Sequence, residues 1–431
     1  MRAAFVVADG TKARYGITAC LGALDALPAG RAPEVVWPGA GPDAATLAAA
    51  ITAVARRGLA PVVLWSAFSP GFDAVAGRLR AVRALTPGGV PARHVVGGPH
   101  ATADPADAAG AGFDFVAPGE GEWTMRALAA ALESGSPLEE VEGLLRPDAA
   151  GAVPRGRGRP VEDLDEFGSF ALRERRIGPI EITRGCRYAC AFCQTPYAAR
   201  ARFRHRSVGS VVAHVRAMLG FGKRQVRFLT PSALSYGASG TDPDLDAVER
   251  LLRAVRAELP ADGRLYFGTF PSELRPEHVT PDALALVRRY ADNDNVIVGG
   301  QSGSDAVLAA AHRGHDVAAV RVAVGHCLAA GLVPNVDFIF GMPGETDADV
   351  AATLELIREL ADAGARVHTH AFLPLPGTPW RDRPPGVVAP EVRAELVRLT
   401  SRGRAYGNWE RQEGVARSLA EARAGRAGTG R

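Results

Sequence analysis

The chain has 431 residues, 50 basic and 47 acidic side chains, a net charge of +3, and is 47% hydrophobic and 23% charged. That length exceeds what one hydrophobic core usually serves, so two domains are expected, and the balance excludes a disordered, collagen-like or membrane-bundle chain. The arginines are scattered among acids and no apolar run approaches a membrane span, so neither a nucleic acid nor a membrane is expected as partner.

The start, Met1–Asp9, is apolar for too few residues to be a signal peptide and reads as a first β-strand, Ala4–Ala8. Across residues 1–133, further strands fall at Glu34–Trp37, Pro61–Ala67, Arg93–Gly97 and Phe113–Ala117, with Ala-rich helices such as Asp43–Arg57 and Asp73–Leu85 between them. This alternation predicts a doubly wound, Rossmann-like parallel sheet, which binds ligands at its carboxyl strand ends. Those ends carry Ser66 and Ser69, then Gly97-Gly98-Pro99-His100, then Pro118-Gly119-Glu120-Gly121-Glu122.

Periodicity is lost over residues 134–176, where Pro, Gly and Arg predict a linker. A second α/β series over 177–385 has strands at Pro179–Ile182, Gln225–Leu229, Arg264–Gly268, Asn295–Gly299, Val333–Phe340 and Arg366–Leu373. About six β/α units predict an incomplete barrel with its chemistry at the C-terminal strand ends. Residues 386–431 read as a helical segment with an arginine-rich tail.

Three of the five cysteines, Cys186, Cys190 and Cys193, lie within eight residues, on the loop after the first barrel strand. Pairwise disulfides explain that poorly, and an iron–sulfur cluster in a reducing cytoplasm explains it better. Three thiolates would leave one iron open, and Arg184 and Arg187 are placed to favour the thiolate form. The alternative is a structural zinc ion with His205 as fourth ligand. Cys20 and Cys327 lie in apolar helical stretches and read as buried packing residues.

The three-cysteine spacing, with Phe192 before the last, resembles the signature of the radical S-adenosylmethionine superfamily, and the resemblance runs from about residue 177 to 380. It includes Gly299-Gly300-Gln301-Ser302-Gly303-Ser304-Asp305 with Arg313-Gly314-His315, the segment Asp337–Thr346, and Leu373–Pro379. The resemblance implies a [4Fe-4S] cluster on Cys186, Cys190 and Cys193, with S-adenosylmethionine chelating the fourth iron. It further implies contacts to the cofactor from Phe192, polar contacts from Gln301, Ser302 and Arg313, and a backbone edge for the adenine from Phe340, Gly341 and Met342. Gln301 stands where relatives often carry glutamate.

The first domain resembles the cobalamin-binding half of cobalamin-dependent radical enzymes through its glycine-rich strand ends. This implies cobalamin against Ser66, Ser69, Gly97, Gly98, Pro99, His100, Gly119, Glu120 and Gly121. Many such domains place a cobalt-ligating histidine in the loop after the first strand; Thr11 holds that position here, so cobalt is expected without a protein imidazole. Together these imply a methyltransferase acting on an unactivated centre of a small molecule or peptide through a 5′-deoxyadenosyl radical, served by an electron donor such as flavodoxin or ferredoxin. Radical rearrangement, cyclisation or oxidation without methyl transfer is an alternative. A methylthiotransferase acting on transfer RNA is another, but it would need a second cluster in a domain that has only Cys20. A non-catalytic corrinoid or redox sensor is the third. No catalytic residue for the substrate step is assigned.

Overall fold

The computed structural model describes residues 2–8, 14–28, 30–149 and 151–429, residues 426–429 by their backbone alone. The loop holding Thr11 lies outside the described residues. The chain divides into two compact units, Met1–Gly178 and Pro179–Arg431. Among the described residues, no helix is long and apolar enough to cross a membrane.

The first unit runs β1 (Ala3–Val7), α1 (Arg14–Gly22), β2 (Glu34–Val36), α2 (Ala44–Arg56), β3 (Ala60–Ser66), α3 (Phe72–Leu85), β4 (Arg93–Gly97), α4 (Pro99–Ala103), α5 (Pro105–Gly110), β5 (Phe115–Ala117) and α6 (Glu122–Ser134). Every pairing in the sheet is parallel, in the order β2-β1-β3-β4-β5. Both faces of β1 are buried because helices cover both sides. Ala4 and Val6 pack with Leu47, Ile51, Leu79 and Val82 of α2 and α3. Phe5 and Val7 pack with Ile17, Leu21, Met125 and Leu128 of α1 and α6. Continuous apolar strands are what a sheet buried on two sides requires. The strand order reverses between β1 and β3, which is where such sheets open a crevice at their carboxyl ends.

Residues 134–176, expected as a linker, pack on the first unit. Leu145 pairs antiparallel with Val116, and Gly158 N donates to Pro118 O at 2.8 Å. Val161, Leu164 and Phe167 bury against Ala23 and Trp123. Short apolar anchors spaced along an otherwise Pro- and Gly-rich stretch give no helical or strand period, so they left no trace in the pattern.

The second unit opens with β6 (Ile180–Glu181), β7 (Thr183–Arg184), α7 (Thr195–Ala198), β8 (Arg204–His205) and α8 (Val208–Gly220). It continues with β9 (Gln225–Leu229), α9 (Leu245–Glu258), β10 (Arg264–Tyr266), α10 (Pro281–Tyr290), β11 (Asn295–Gln301), α11 (Asp305–Ala310) and α12 (Val317–Ala329). The last elements are β12 (Val333–Phe340), α13 (Asp347–Ala363), β13 (Arg366–Ala371), α14 (Pro390–Ser401), β14 (Ala405–Gly407) and α15 (Trp409–Thr429). β6, β9 and β10 form one parallel sheet and β11 to β14 another, and a parallel bridge from Leu274 to Val298 joins them. The six expected barrel strands are therefore present, plus a seventh.

That seventh strand lies within residues 386–431, which read as a helical segment with an arginine-rich tail. Ala405-Tyr406-Gly407 lies beside Val367-His368-Thr369 of β13. Three residues are too few for a visible alternation. α14 and α15 hold them there through Val392, Leu396, Leu399 and Trp409, which join Val336, Phe338, Val367 and Ala371 in the main core of this unit.

Candidate active site

The first barrel strand is broken into two pieces. β6 pairs with β9, whereas β7 turns into an antiparallel hairpin with β8. The cysteine loop is the excursion between the hairpin arms, closed by Cys186 N donating to Arg200 O at 3.3 Å. Its far end is pinned to the barrel: Ala191 N donates to Ala311 O at 3.0 Å and Trp380 N to Ala191 O at 3.2 Å. Ala191 and Phe192 pack there with Val307, Met342, Phe372 and Trp380. Phe192 and Met342, far apart in sequence, thus share one apolar wall beside the thiols.

None of the cysteines is in a disulfide, and Cys190 is buried. Burial, with the neighbouring Cys193 and Cys190 thiols adding, pushes the Cys186 thiol up to about 11. Three crowded thiols in a poorly solvated loop need nearby positive charge to exist as thiolates, which iron supplies. His205 spends both ring nitrogens elsewhere, Nδ1 on Thr183 Oγ1 at 3.0 Å and Nε2 on Ala238 O at 3.1 Å. The donor set therefore fits a polynuclear cluster better than zinc with His205.

The two arginines expected to support the thiolates are corrected. Arg184 is clamped by Glu181 at 2.9 and 2.7 Å, and Arg187 bonds the carbonyl of Ser239. Arg313 is the one at the sulfurs: Nη1 lies 3.4 Å from Cys190 Sγ and Nη2 donates to Gly299 O at 2.8 Å. The Arg275 guanidinium also acts on Cys186. Both positions lie more than 80 residues from the cysteine loop, so local sequence could not reveal them.

Gln301 is 5% exposed and sits at a positive φ of 73° at the end of β11. A Cβ on Gly299 would stand 2.9 Å from Arg313 Nη2, 2.9 Å from Gln301 Nε2 and 3.4 Å from Glu273 Oε1, so these three groups converge there. Ser302, by contrast, is fully buried, its hydroxyl 3.3 Å from Thr353 Oγ1 and accepting from Ser304 N at 3.2 Å. It holds the turn rather than facing the barrel mouth. Phe340 is core, and its carbonyl accepts from Phe372 N at 2.9 Å. Gly341 N donates to Glu345 Oε2 at 2.7 Å, so much of this backbone edge is already engaged. At Gly341 a side chain is impossible: φ is 73° and a Cβ would lie 2.5 Å from Val387 N.

In the first unit the structure separates the expected cobalamin residues. Ser66 and Gly98 meet at the strand ends, where a Cβ on Gly98 (φ 93°) would reach Ser66 Oγ at 2.9 Å and the Ala67 backbone at 3.0 Å. Gly97 and Pro99 flank that turn. His100 is 2% exposed, stacks on Phe72 at 3.8 Å, and faces Ser69 Oγ and Asp107 Oδ2, each at 3.3 Å. Ser69 is equally buried. Gly119 N donates to Thr102 Oγ1, Glu120 Oε2 accepts from Val161 N, and Gly121 abuts Cys20. These five residues have partners inside the unit, and at Gly119 and Glu120 the 157–161 segment supplies part of the cover.

A barrel-lining group was missed by the sequence reading. Asp337, His368 and His370 bring their ligand-type atoms within 4.8 Å of one another. Glu273 is close enough for Asp337 and Arg313 to act on its charge, and burial pushes it up to about 7. The signal available was His-x-His on the last expected strand, two residues apart and therefore on one face.

Residues 180–357 match the Radical SAM superfamily model. The chain's second unit therefore carries a radical SAM domain. A tRNA-2-methylthio-N(6)-dimethylallyladenosine synthase from Halorhodospira halophila is 34% identical over 264 residues, 60% of this chain and 53% of that protein. The enzyme of the same name from Sorangium cellulosum is 34% identical over 257 residues, 53% of this chain and 49% of that one. The chain thus spans about half the length of the curated relatives it matches. Among solved structures it resembles the radical S-adenosylmethionine methyltransferase TsrM from Kitasatospora setae, with a TM-score of 0.67 and 18% identity over 89% of this chain and 78% of that one. It also resembles the cobalamin-dependent radical enzyme OxsB, with a TM-score of 0.64 and 17% identity over 83% of this chain and 51% of that one. The fold of the chain is similar to that of these two enzymes.

Proposed function

We propose that this chain is a cobalamin-dependent radical SAM methyltransferase acting on an unactivated centre of a small molecule or peptide. The observation that carries the reading is the thiol loop pinned beside the apolar wall of Phe192 and Met342, with Arg313 against Cys190. Cys186, Cys190 and Cys193 would hold a [4Fe-4S] cluster, which with S-adenosylmethionine supplies the one-electron chemistry of the superfamily.

The chain's own residues position and exclude water. Phe192 and Met342 keep one side of the loop dry. Gln301 and Arg313 offer polar hydrogens at the end of β11, with Glu273 beside them. In the first unit Ser66, Gly97, Gly98 and Pro99 are the residues we carry forward as the cobalamin contact, because they sit at the carboxyl ends of β3, which borders the point where the order reverses, and of its neighbour β4. A low-potential flavodoxin or ferredoxin would deliver the electron.

The test is anaerobic incubation of the cluster-reconstituted chain with hydroxocobalamin, methyl-labelled S-adenosylmethionine, reductant and a host extract, read by mass spectrometry. A product heavier by one labelled methyl group, dependent on cobalamin, supports the reading. A labelled methylthio group on transfer RNA, the product type named for the curated relatives, would replace it.

A further inference from the structure

The two faces of β12 and β13 differ in chemistry. Val336, Phe338, Val367 and Ala371 enter the core, so the alternate residues Asp337, His368 and His370 turn to the other side of the sheet. Parallel register sets Asp337 against His368, and His368 Nδ1 lies 2.9 Å from Asp337 Oδ1. A carboxylate only accepts, so Nδ1 carries the proton and Nε2 presents its lone pair.

His370 has the opposite tautomer. Gln412 of α15 accepts the Ala371 N–H through Oε1 at 2.9 Å, which fixes its amide, and its Nε2 then donates to His370 Nδ1 at 3.1 Å. The His370 proton therefore sits on Nε2. Burial, with His368 adding, pushes this ring down to about 4, so it is a neutral donor near pH 7. Tyr406 of β14 stacks on His368 at 4.5 Å and 12°, holding its plane, and the two imidazoles meet edge to face at 4.2 Å. His368 keeps 27% of its side chain exposed, enough for a ligand to reach.

A carboxylate-held imidazole beside a fixed N–H donor is an arrangement for taking a proton. We infer that Asp337 and His368 form a proton-accepting dyad for a substrate bearing a weakly acidic N–H or O–H, with His370 donating a hydrogen bond to the same substrate. In the step, the substrate's heteroatom–hydrogen bond breaks and its electron pair stays on the heteroatom. The proton bonds to His368 Nε2, and Asp337 balances the imidazolium charge. No electrons change hands; the substrate gains electron density beside the centre to be modified. The inference rests on reading the second unit as the catalytic barrel. The same three residues could be taken for a single-ion site, but the Gln412 amide already occupies His370 Nδ1 and the other nitrogen carries a proton.

The groups facing His368 are Asp337 from β12, His370 from its own strand and Tyr406 from β14, and the charge of Asp337 also acts on the buried Glu273. The probe is 4-nitrophenol, added to the full-length reconstituted protein at a pH where the free phenol stays neutral. The expected result is a nitrophenolate absorbance band on binding, reduced about tenfold in both His368→Gln and Asp337→Asn. Nitrogen-15 histidine spectra should show the proton on Nδ1 of His368 and on Nε2 of His370. No band in the wild type, a band indifferent to both substitutions, or the reverse tautomers would overturn the inference. So would zinc(II) added alone shifting both histidines together. 5′-deoxyadenosine release by the same preparation reports the radical reading separately, so either idea can fail with the other intact.

Discussion

Arg313 Nη1 lies 3.4 Å from Cys190 Sγ while Nη2 donates to Gly299 O at 2.8 Å, so one buried guanidinium ties the end of β11 to the thiol loop. A cation donating to a cluster thiolate favours the reduced, more negative state. Arg313→Met is expected to retain iron but to lower the cluster midpoint potential by roughly tens of millivolts, on the order of 1 kcal/mol. Redox titration followed by electron paramagnetic resonance checks this. An unchanged potential would mean that the contact does not persist once iron is bound.

Cys186→Ala, Cys190→Ala and Cys193→Ala should each abolish most iron and the visible absorbance. Cys20→Ala and Cys327→Ala should keep both. Cys327 is fully buried in α12, its thiol pushed up to about 12 by burial, so its loss should cost about 1 kcal/mol of stability through a small cavity. Iron content and denaturant melts of the five variants separate ligation from packing.

The alternation of strands and helices was legible along the chain because both faces of the first sheet are buried and the barrel strands are long enough to show their period. The cysteine loop was legible because its three ligands are local. What could not be read was non-local. Arg313 reaches Cys190 across 123 residues, and the barrel interior acquires Tyr406 and Gln412 from a segment whose composition speaks only of helix and arginine. The strand-end glycines misled in part. Gly98 is required by the approach of the Ala67 backbone, and His100 is sealed under Phe72, so a motif that resembles a ligand site is in part a packing device.

Glu273 should make stability fall with rising pH across a defined window. Burial raises its folded value from 4.5 to about 7 against the pull of Arg313, so the folded state holds a proton that the unfolded chain has lost. Its neutral form is therefore no liability below about pH 4.5, the penalty grows up to about pH 7, and it is constant above. Glu273→Gln should stabilise the chain more at alkaline than at acidic pH. Paired urea melts on either side of the window check the sign, and equal shifts at both would contradict it.

Gly341→Ala should be severely destabilising, by about 2–4 kcal/mol, since it combines a positive φ with a Cβ placed 2.5 Å from Val387 N. The damage should concentrate where residues 386–388 cross the end of β12. Hydrogen exchange in the variant is expected to rise there first, while the first unit keeps its protection.

The central claim is that three thiolates hold the cluster and leave one iron to S-adenosylmethionine. Electron–nuclear double resonance of the reduced cluster, with S-adenosylmethionine nitrogen-15-labelled at its amino group, tests it most directly. A nitrogen-15 coupling that appears on adding the labelled compound is the result the account requires. A spectrum unchanged by it, on a fully loaded cluster, would contradict the claim.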